Sequence, residues 1–322
     1  MEWSIKRKDY FKNNVHLILS GGGSLGLFHI GIVKKLYELD MLPNNIHGSS
    51  VGSIIASIVC TQTFEEMNLF FKDIEHIYID FFDTSWWYSI IHFVSKRNIH
   101  TGEKLILRMR ELIGDITFSE AYQKTGRQLN ITVADIALKK GLVINHKNHP
   151  DAVIWSAVSC STALPGFFPD RHIYIKHNDR LIPLPDRFND GAIYMDIPHI
   201  SAKLKIISIT NPLLITLNYI YRYRYCKQIV QYIIILLKRI NIHQHWIVMM
   251  IVSMLNSHWD FKYSYYLPIH CLLFLPVMMF NPPIFLWKRW IQYGYNTICE
   301  KSLNNMIHKI SEVSLYKEDI PE

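Results

Sequence analysis

Val15-His16-Leu17-Ile18-Leu19-Ser20-Gly21-Gly22-Gly23-Ser24-Leu25-Gly26 begins as a short apolar run and passes into a glycine loop. Phe28, Ile32, Val33, Leu36 and Leu39 follow at helical spacing. A strand, a tight loop and an amphipathic helix are therefore predicted in that order. Met41 to His47 supplies a turn and a second short strand, which runs into Gly48-Ser49-Ser50-Val51-Gly52, and Ile54 to Cys60 continues as a helix of small residues. Two strands joined through a helix form a βαβ unit, which implies a parallel sheet. Farther along, strands are expected at Gln128 to Asp135 and Leu204 to Ile209, and helices around Glu103 to Ile113 and Asp151 to Val158. After Pro212 the pattern turns mostly helical, ending in a helix or helix pair over Pro283 to Ile310.

The composition narrows the class. With 322 residues, 49% hydrophobic and 19% charged, the chain is neither disordered nor collagen-like nor a disulfide scaffold. Its formal charge is +7, and the surplus is local: Lys203 to Cys299 holds ten Lys and Arg against the single acid Asp260. The same stretch contains two long uncharged runs, Ile240 to Trp259 and Tyr263 to Trp287. Basic and oily residues together point to a lipid surface and away from nucleic acid. The first run is interrupted by Asn241, His243, Gln244, His245, Asn256 and His258, the second by Pro268, Pro276, Asn281, Pro282 and Pro283. Neither is a clean run of about 20 apolar residues, so buried helices, interfacial segments and a true span all stay open. Met1 to Asn14 lacks the apolar stretch of a secretory signal, and Cys60, Cys160, Cys226, Cys271 and Cys299 form no Cys-x-x-Cys pair. Free thiols in a reducing, intracellular setting are expected.

The chemistry centres on Gly48-x-Ser50-x-Gly52, placed between a strand and a helix. A serine on so sharp a turn adopts a strained backbone, and glycines two residues to either side leave room for it. The helix beginning at Val51 aims its N-terminal N–H groups at any oxyanion formed there. Gly21, Gly23 and Gly26 also satisfy the dinucleotide pattern G-x-G-x-x-G, but the second strand ends in His47-Gly48-Ser49-Ser50 with no acid for a ribose, and Asp40 comes too early. The better reading makes Gly22 and Gly23 donors of an oxyanion hole beside Ser50. Asn189-Asp190-Gly191-Ala192 allows two readings. Asp190 sits either in a plain Asp-Gly turn, the commoner case, or close enough to Ser50 to act as its base without a histidine.

Taken in order, these motifs resemble the patatin-like phospholipase and lipase family, most closely the plant and fungal triacylglycerol lipases. The resemblance rests on Leu19 to Gly31, Leu42-Pro43, Gly48 to Ser53, Thr117 to Tyr122 with Thr125-Gly126-Arg127, Ile154 to Ser161 with Leu164-Pro165-Gly166, and Asn189-Asp190-Gly191 with Asp196-Ile197-Pro198. Asn281-Pro282 and Trp290 to Ser302 look like its closing helix, so the likeness extends over roughly residues 8 to 310. It implies an α/β fold, a three-layer α/β/α sandwich with a mainly parallel central sheet and a helical C-terminal extension. The implied parts are a polar segment 1–14, a catalytic core 15–212, an apolar and basic helical region 213–310 that faces lipid, and a polar tail 311–322.

For the site the resemblance implies a Ser–Asp dyad of Ser50 and Asp190, an oxyanion hole of Gly21, Gly22 and Gly23, elbow glycines Gly48 and Gly52, and neither metal nor cofactor. The substrate would be a lipid ester met at a membrane or lipid-droplet surface, with peripheral attachment. Alternatives are a phospholipase A, a lysophospholipase or an acyltransferase on the same dyad, and a catalytically inactive membrane-binding relative. Two positions depart from the family pattern: Leu25 stands where phospholipase-type members carry Arg or Lys, and Leu213 where the lipase branch tends to have His. The first weakly favours neutral lipid.

Overall fold

A computed structural model describes residues 5–73, 82, 98–178, 180–200, 204–211, 214–215, 264–266, 281–298 and the single positions 228, 232, 249 and 303. At its centre lies a mainly parallel sheet. Strands β1 (Val15–Leu19), β2 (Asn45–Ser49), β3 (Gln128–Asp135) and β8 (Leu204–Ile209) run parallel in the order β3-β2-β1-β8. β1 pairs with a strand on each side, and Leu17, Ile18 and Leu19 are fully buried, as expected for a strand covered on both faces. The antiparallel strand β4 (Lys140–Asn145) closes the β3 edge, and β5 (Tyr174–His177) and β6 (Arg180–Pro183) form a separate hairpin.

The short strand β7 (Phe188–Asp190) decides where the site forms. It pairs antiparallel with β3 at Val133, Ala134 and Asp135, immediately beyond the stretch of β3 that β2 occupies. Ser49 lies opposite Thr132, and Asp190 opposite the next residue, Val133. A third element therefore takes up the slot that β2 vacates when it turns away at Ser50. The approach is close at Gly191, where a Cβ would overlap the Thr132 carbonyl.

Helices flank the sheet. α1 (Ile5–Asn14), α2 (Leu27–Glu38), α3 (Val51–Thr61) and α4 (Phe64–Asp73) precede α5 (Glu103–Ile113), α6 (Phe118–Thr125) and α7 (Ile154–Ser161). The four-residue α8 (Ala192–Met195) follows β7, and α9 (Ile284–Thr297) lies near the end of the chain. α3 is buried along its whole length and packs on β2 and β3. The quoted stretch Thr117 to Arg127 is structural: Thr117 and Glu120 form a capping box, Gly126 ends α6 at φ 69°, and Arg127 Nη1 donates to the carbonyls of Val59 and Gln62 at 2.8 and 2.9 Å, closing the C-terminal end of α3.

α9 packs across α2 with almost nothing between the two backbones. A Cβ on Gly31 would overlap the Ile291 carbonyl, and one on Gly294 the Phe28 carbonyl. Leu286, Trp287, Trp290 and Ile291 are buried around that crossing, the Lys35 ammonium stacks 4.7 Å from the Tyr295 ring centre, and Tyr295 donates to Glu38 at 2.5 Å.

Two stretches carry structure that the sequence pattern does not specify. Polar residues 5–14 form a helix, anchored by fully buried Phe11 and by Lys12, which donates to Asp40 at 2.5 Å. The stretch expected to be helical after Pro212 also contains a strand, β9 (Ser264–Tyr266), which pairs parallel with β8 at the sheet edge. Ser-Tyr-Tyr suits a strand, and the free edge of β8 offers the partner. Most of the two apolar runs at 240–259 and 263–287, and Leu213, lie outside the described residues. Among the described residues no helix is long and apolar enough to cross a membrane.

Candidate active site

Ser50 sits where β2 turns into α3, with φ 50° and ψ −124°. A non-glycine residue there costs on the order of 1–3 kcal/mol, so neighbours have to hold it in place. The Ser50 N–H donates to Ser161 Oγ at 2.9 Å, and Ser161 Oγ donates to the Thr132 carbonyl at 2.7 Å. Ser53 donates to the Ser50 carbonyl through its N–H at 2.9 Å and its hydroxyl at 2.6 Å. The elbow glycines are demanded by packing. A Cβ on Gly48 would overlap the backbone of Gly52, and one on Gly52 the Leu19 carbonyl.

β7 brings Asp190 to this turn. Its carboxyl shares the pocket wall with Ser50, and Oδ1 accepts from the Ala192 N–H at 2.9 Å. Asp190 is 3% exposed. Burial pushes its carboxyl up to about 7, Asp196 pushes in the same direction, and Ser50 and the Ala192 N–H pull it back. A carboxylate titrating near neutrality beside a strained serine is suited to accept a proton.

The glycine loop follows β1 and reaches the same end of the sheet. Gly21 lies against Ser50: a Cβ there would be 3.3 Å from Ser50 Cβ. Its N–H, however, donates to Asp196 Oδ1 at 2.7 Å, so Gly21 has no N–H to offer an oxyanion. Gly22 (φ 154°) packs on Thr210, leaving no room for a side chain, and Gly23 (φ 56°) lines the pocket beside Ser50 and Asp190. Under the loop lies His29, fully buried. Its Nε2 is 2.9 Å from the Ser20 carbonyl and 3.2 Å from Thr210 Oγ1, and its Nδ1 2.7 Å from Ser208 Oγ. A neutral ring that donates from Nε2 and accepts at Nδ1 satisfies all three contacts, and burial lowers its pKa to about 4.

The pocket in front of Ser50 and Asp190 has a volume of about 690 Å³ including its open part. Its walls are Ile54, Ile55, Leu105, Phe168 and Trp287, with Phe82 held in place by Asn281, which accepts from the Phe82 N–H at 3.2 Å and donates to its carbonyl at 3.1 Å. Among the described residues neither Lys, Arg nor His lines it. Leu25 is fully buried. Among the described residues no cluster of His, Cys, Asp and Glu is arranged to hold a metal ion. The sequence pattern assigns no role to Ser161, Thr210, Asn211 or His29, although Ser161 and His29 fall in the quoted Ile154 to Ser161 and Leu19 to Gly31 stretches.

Residues 17–203 match the family of patatin-like phospholipases. The chain belongs to that family. Among curated relatives of this patatin-like protein, it is 36% identical over 205 residues to a triacylglycerol lipase of Arabidopsis thaliana, SDP1L, covering 58% of this chain and 26% of the other. Triacylglycerol lipase 4 of Saccharomyces cerevisiae is 37% identical over 197 residues, covering 56% and 22%, and triacylglycerol lipase ptl2 of Schizosaccharomyces pombe 36% over 228 residues, covering 64% and 35%. The chain thus spans between about a fifth and a third of the length of these relatives. The solved structure of VipD from Legionella pneumophila overlays at a TM-score of 0.43 and 12% identity, over 92% of this chain and 67% of that one.

Proposed function

We propose that the protein is a serine acyl hydrolase that releases fatty acids from neutral acylglycerols. The observation that carries this reading is a strained Ser50 beside a buried Asp190 at the wall of a pocket whose described lining is mainly apolar and holds no cation. Ser50 Oγ adds to the ester carbonyl while its proton passes to Asp190. The tetrahedral oxyanion is held by the N–H groups of Gly22 and Gly23 at the N-terminal end of the α3 dipole. Collapse expels the alcohol, which takes the proton from Asp190 and leaves an acyl-enzyme, and water repeats the cycle to free the acid. A phosphate head group would find no positive side chain among the described lining residues, which supports triacylglycerol over phospholipid. The names of the relatives agree with that preference.

Emulsified triolein should be hydrolysed faster than phosphatidylcholine vesicles, and a fluorophosphonate probe should label wild type but not Ser50→Ala. Preference for phosphatidylcholine would replace the reading with a phospholipase. Unlabelled wild type would leave an inactive relative.

Peripheral attachment to a lipid surface completes the proposal, with the tip of α9 as one contact. Ile284 and Phe285 are 59% and 68% exposed, and Lys288 and Arg289, one turn on, are exposed as well. The helix contains no acid, and Trp287 and Pro282 beside the tip line the pocket. An apolar tip with cations one turn behind fits insertion among head groups. Ile284→Ser with Phe285→Ser should weaken binding to vesicles containing phosphatidylserine about tenfold or more, and added salt should weaken wild-type binding. Hydrolysis of soluble p-nitrophenyl butyrate should not change. Equal vesicle binding by the double variant removes α9 from the contact.

A further inference from the structure

The proposed chemistry uses Ser50, Asp190 and the glycine loop, yet a second carboxyl lies in the same site. Asp196 follows α8 and is 2% exposed. Its two oxygens face two different donors: Oδ1 accepts from the Gly21 N–H at 2.7 Å, and Oδ2 from Asn211 Nδ2 at 3.1 Å. Two accepting oxygens are the arrangement of a carboxylate. Asp196 also stands in one row with Gly21 and Ser50, since a Cβ on Gly21 would lie 3.2 Å from Asp196 Oδ1 and 3.3 Å from Ser50 Cβ. The other end of the Gly21 residue is held too, its carbonyl accepting from Thr210 Oγ1 at 2.9 Å and Ser20 Oγ at 3.0 Å. The Gly21 carbonyl shares a peptide plane with the Gly22 N–H, and the Gly22 carbonyl, which accepts from the Leu25 N–H at 3.2 Å, shares one with the Gly23 N–H, so both N–H groups keep their direction.

We infer that Asp196 is a positioning residue of this site: it clamps Gly21 so that the two following N–H groups face the ester oxygen, and its negative charge acts on Asp190. The inference rests on the proposed hydrolase reading. An oxyanion donor contributes to rate only while it is aimed at the developing charge, so loosening the loop should lower kcat and leave KM nearly unchanged. The electrostatic role follows from the surroundings of Asp190. From β3, α7 and the Ser50 turn its neighbours Thr132, Ser161, Thr162 and Ser50 carry no charge, and among the described residues Asp196 is the charged group that raises it. Removing that charge should let Asp190 ionise at lower pH.

Two variants separate the roles. Asp196→Ala loses clamp and charge together, and its kcat should fall about a hundredfold with KM within about twofold. Asp196→Asn keeps an oxygen for Gly21 and loses the charge. It should recover most of kcat, and the acid limb of its pH–rate profile should move to lower pH. Each rate is normalised to the fraction of Ser50 that a fluorophosphonate titrates, and melting temperatures are recorded alongside. An Asp196 with only a structural role would lower melting temperature and titratable fraction while the acid limb of Asp196→Asn stays in place; that result, or Asp196→Ala with kcat within about threefold of wild type, overturns the inference. If Asp196→Ala does not fold, the profile of Asp196→Asn decides. Ser50→Ala, assayed in parallel, keeps the two readings apart: activity surviving there refutes the hydrolase itself, whereas its loss beside wild-type-like Asp196 variants removes only the role of Asp196.

Discussion

Asp190→Asn is expected to cut ester hydrolysis at least a thousandfold and, at pH 8, to make the protein more stable. The first effect is the loss of the base: an amide cannot take the Ser50 proton, and a positioned general base contributes about 10²–10⁴ in rate. The second comes from burial. A carboxyl raised from 3.8 to about 7 binds its proton more tightly folded than unfolded. Between about pH 4 and about pH 7 the folded chain therefore holds more protons, and stability falls as pH rises through that window. Above pH 7 the cost is complete, at most roughly 4 kcal/mol for a shift of this size. Asparagine is neutral throughout. Its melting temperature should exceed that of wild type by several degrees at pH 8 and match it near pH 4. A variant no more stable at pH 8 would contradict a buried, ionised Asp190. Wild-type activity should fall tenfold per pH unit below about 7, because only the ionised carboxylate accepts a proton.

Gly31→Ala is expected to give the largest loss of stability outside the site. The added methyl meets the Ile291 carbonyl, part of a helix backbone that cannot turn aside as a side chain would. α2 and α9 must separate, and Leu286, Trp287, Trp290 and Ile291 lose their close packing together. A cost of about 3 kcal/mol or more follows from overpacking with partial loss of that burial. At this chain length it lowers the melting temperature by roughly 4–5 °C. Gly294→Ala, which presses on the Phe28 carbonyl from the other side, should behave alike, and the pair should be strongly non-additive, because once the helices have parted the second methyl adds little. Additive losses would mean that the glycines do not share one contact. Since Trp287 and Pro282 line the pocket, both variants should also lose hydrolysis of long-chain esters.

What the sequence made legible was local pattern. Val15–Leu19, Gln128–Asp135 and Leu204–Ile209 stand as strands with the bounds their apolar runs predict, and Glu103–Ile113 is the predicted helix. The Asp151 to Val158 helix starts later, at Ile154, because residues 151–153 join the Thr117 and Ile175 backbones instead. Residues 5–14 read only as part of a polar segment because one buried phenylalanine makes no periodic stripe. At the site, Ser50 announced itself through glycines two residues away. The clamps did not: Gly21 and Asp196 are 175 residues apart, Ser50 and Ser161 111 apart, and no spacing rule predicts such bonds. Asp190 lies between these cases, ambiguous as an Asp-Gly turn until β7 places it one register step from Ser49.

That register step bears on how such a chain can diversify. Ser50 and Asp190 take their separation from adjacent rungs of one strand, braced by Ser161 and Ala163, so within the interval from Asp135 to Phe188 the β5–β6 hairpin has no part in setting it. Insertions, deletions or whole replacements of the hairpin within that interval can reshape what surrounds the pocket while the two reactive groups keep their distance. β3 works as a ruler, and variation can be grafted onto the chain on either side of it without recalibrating the chemistry.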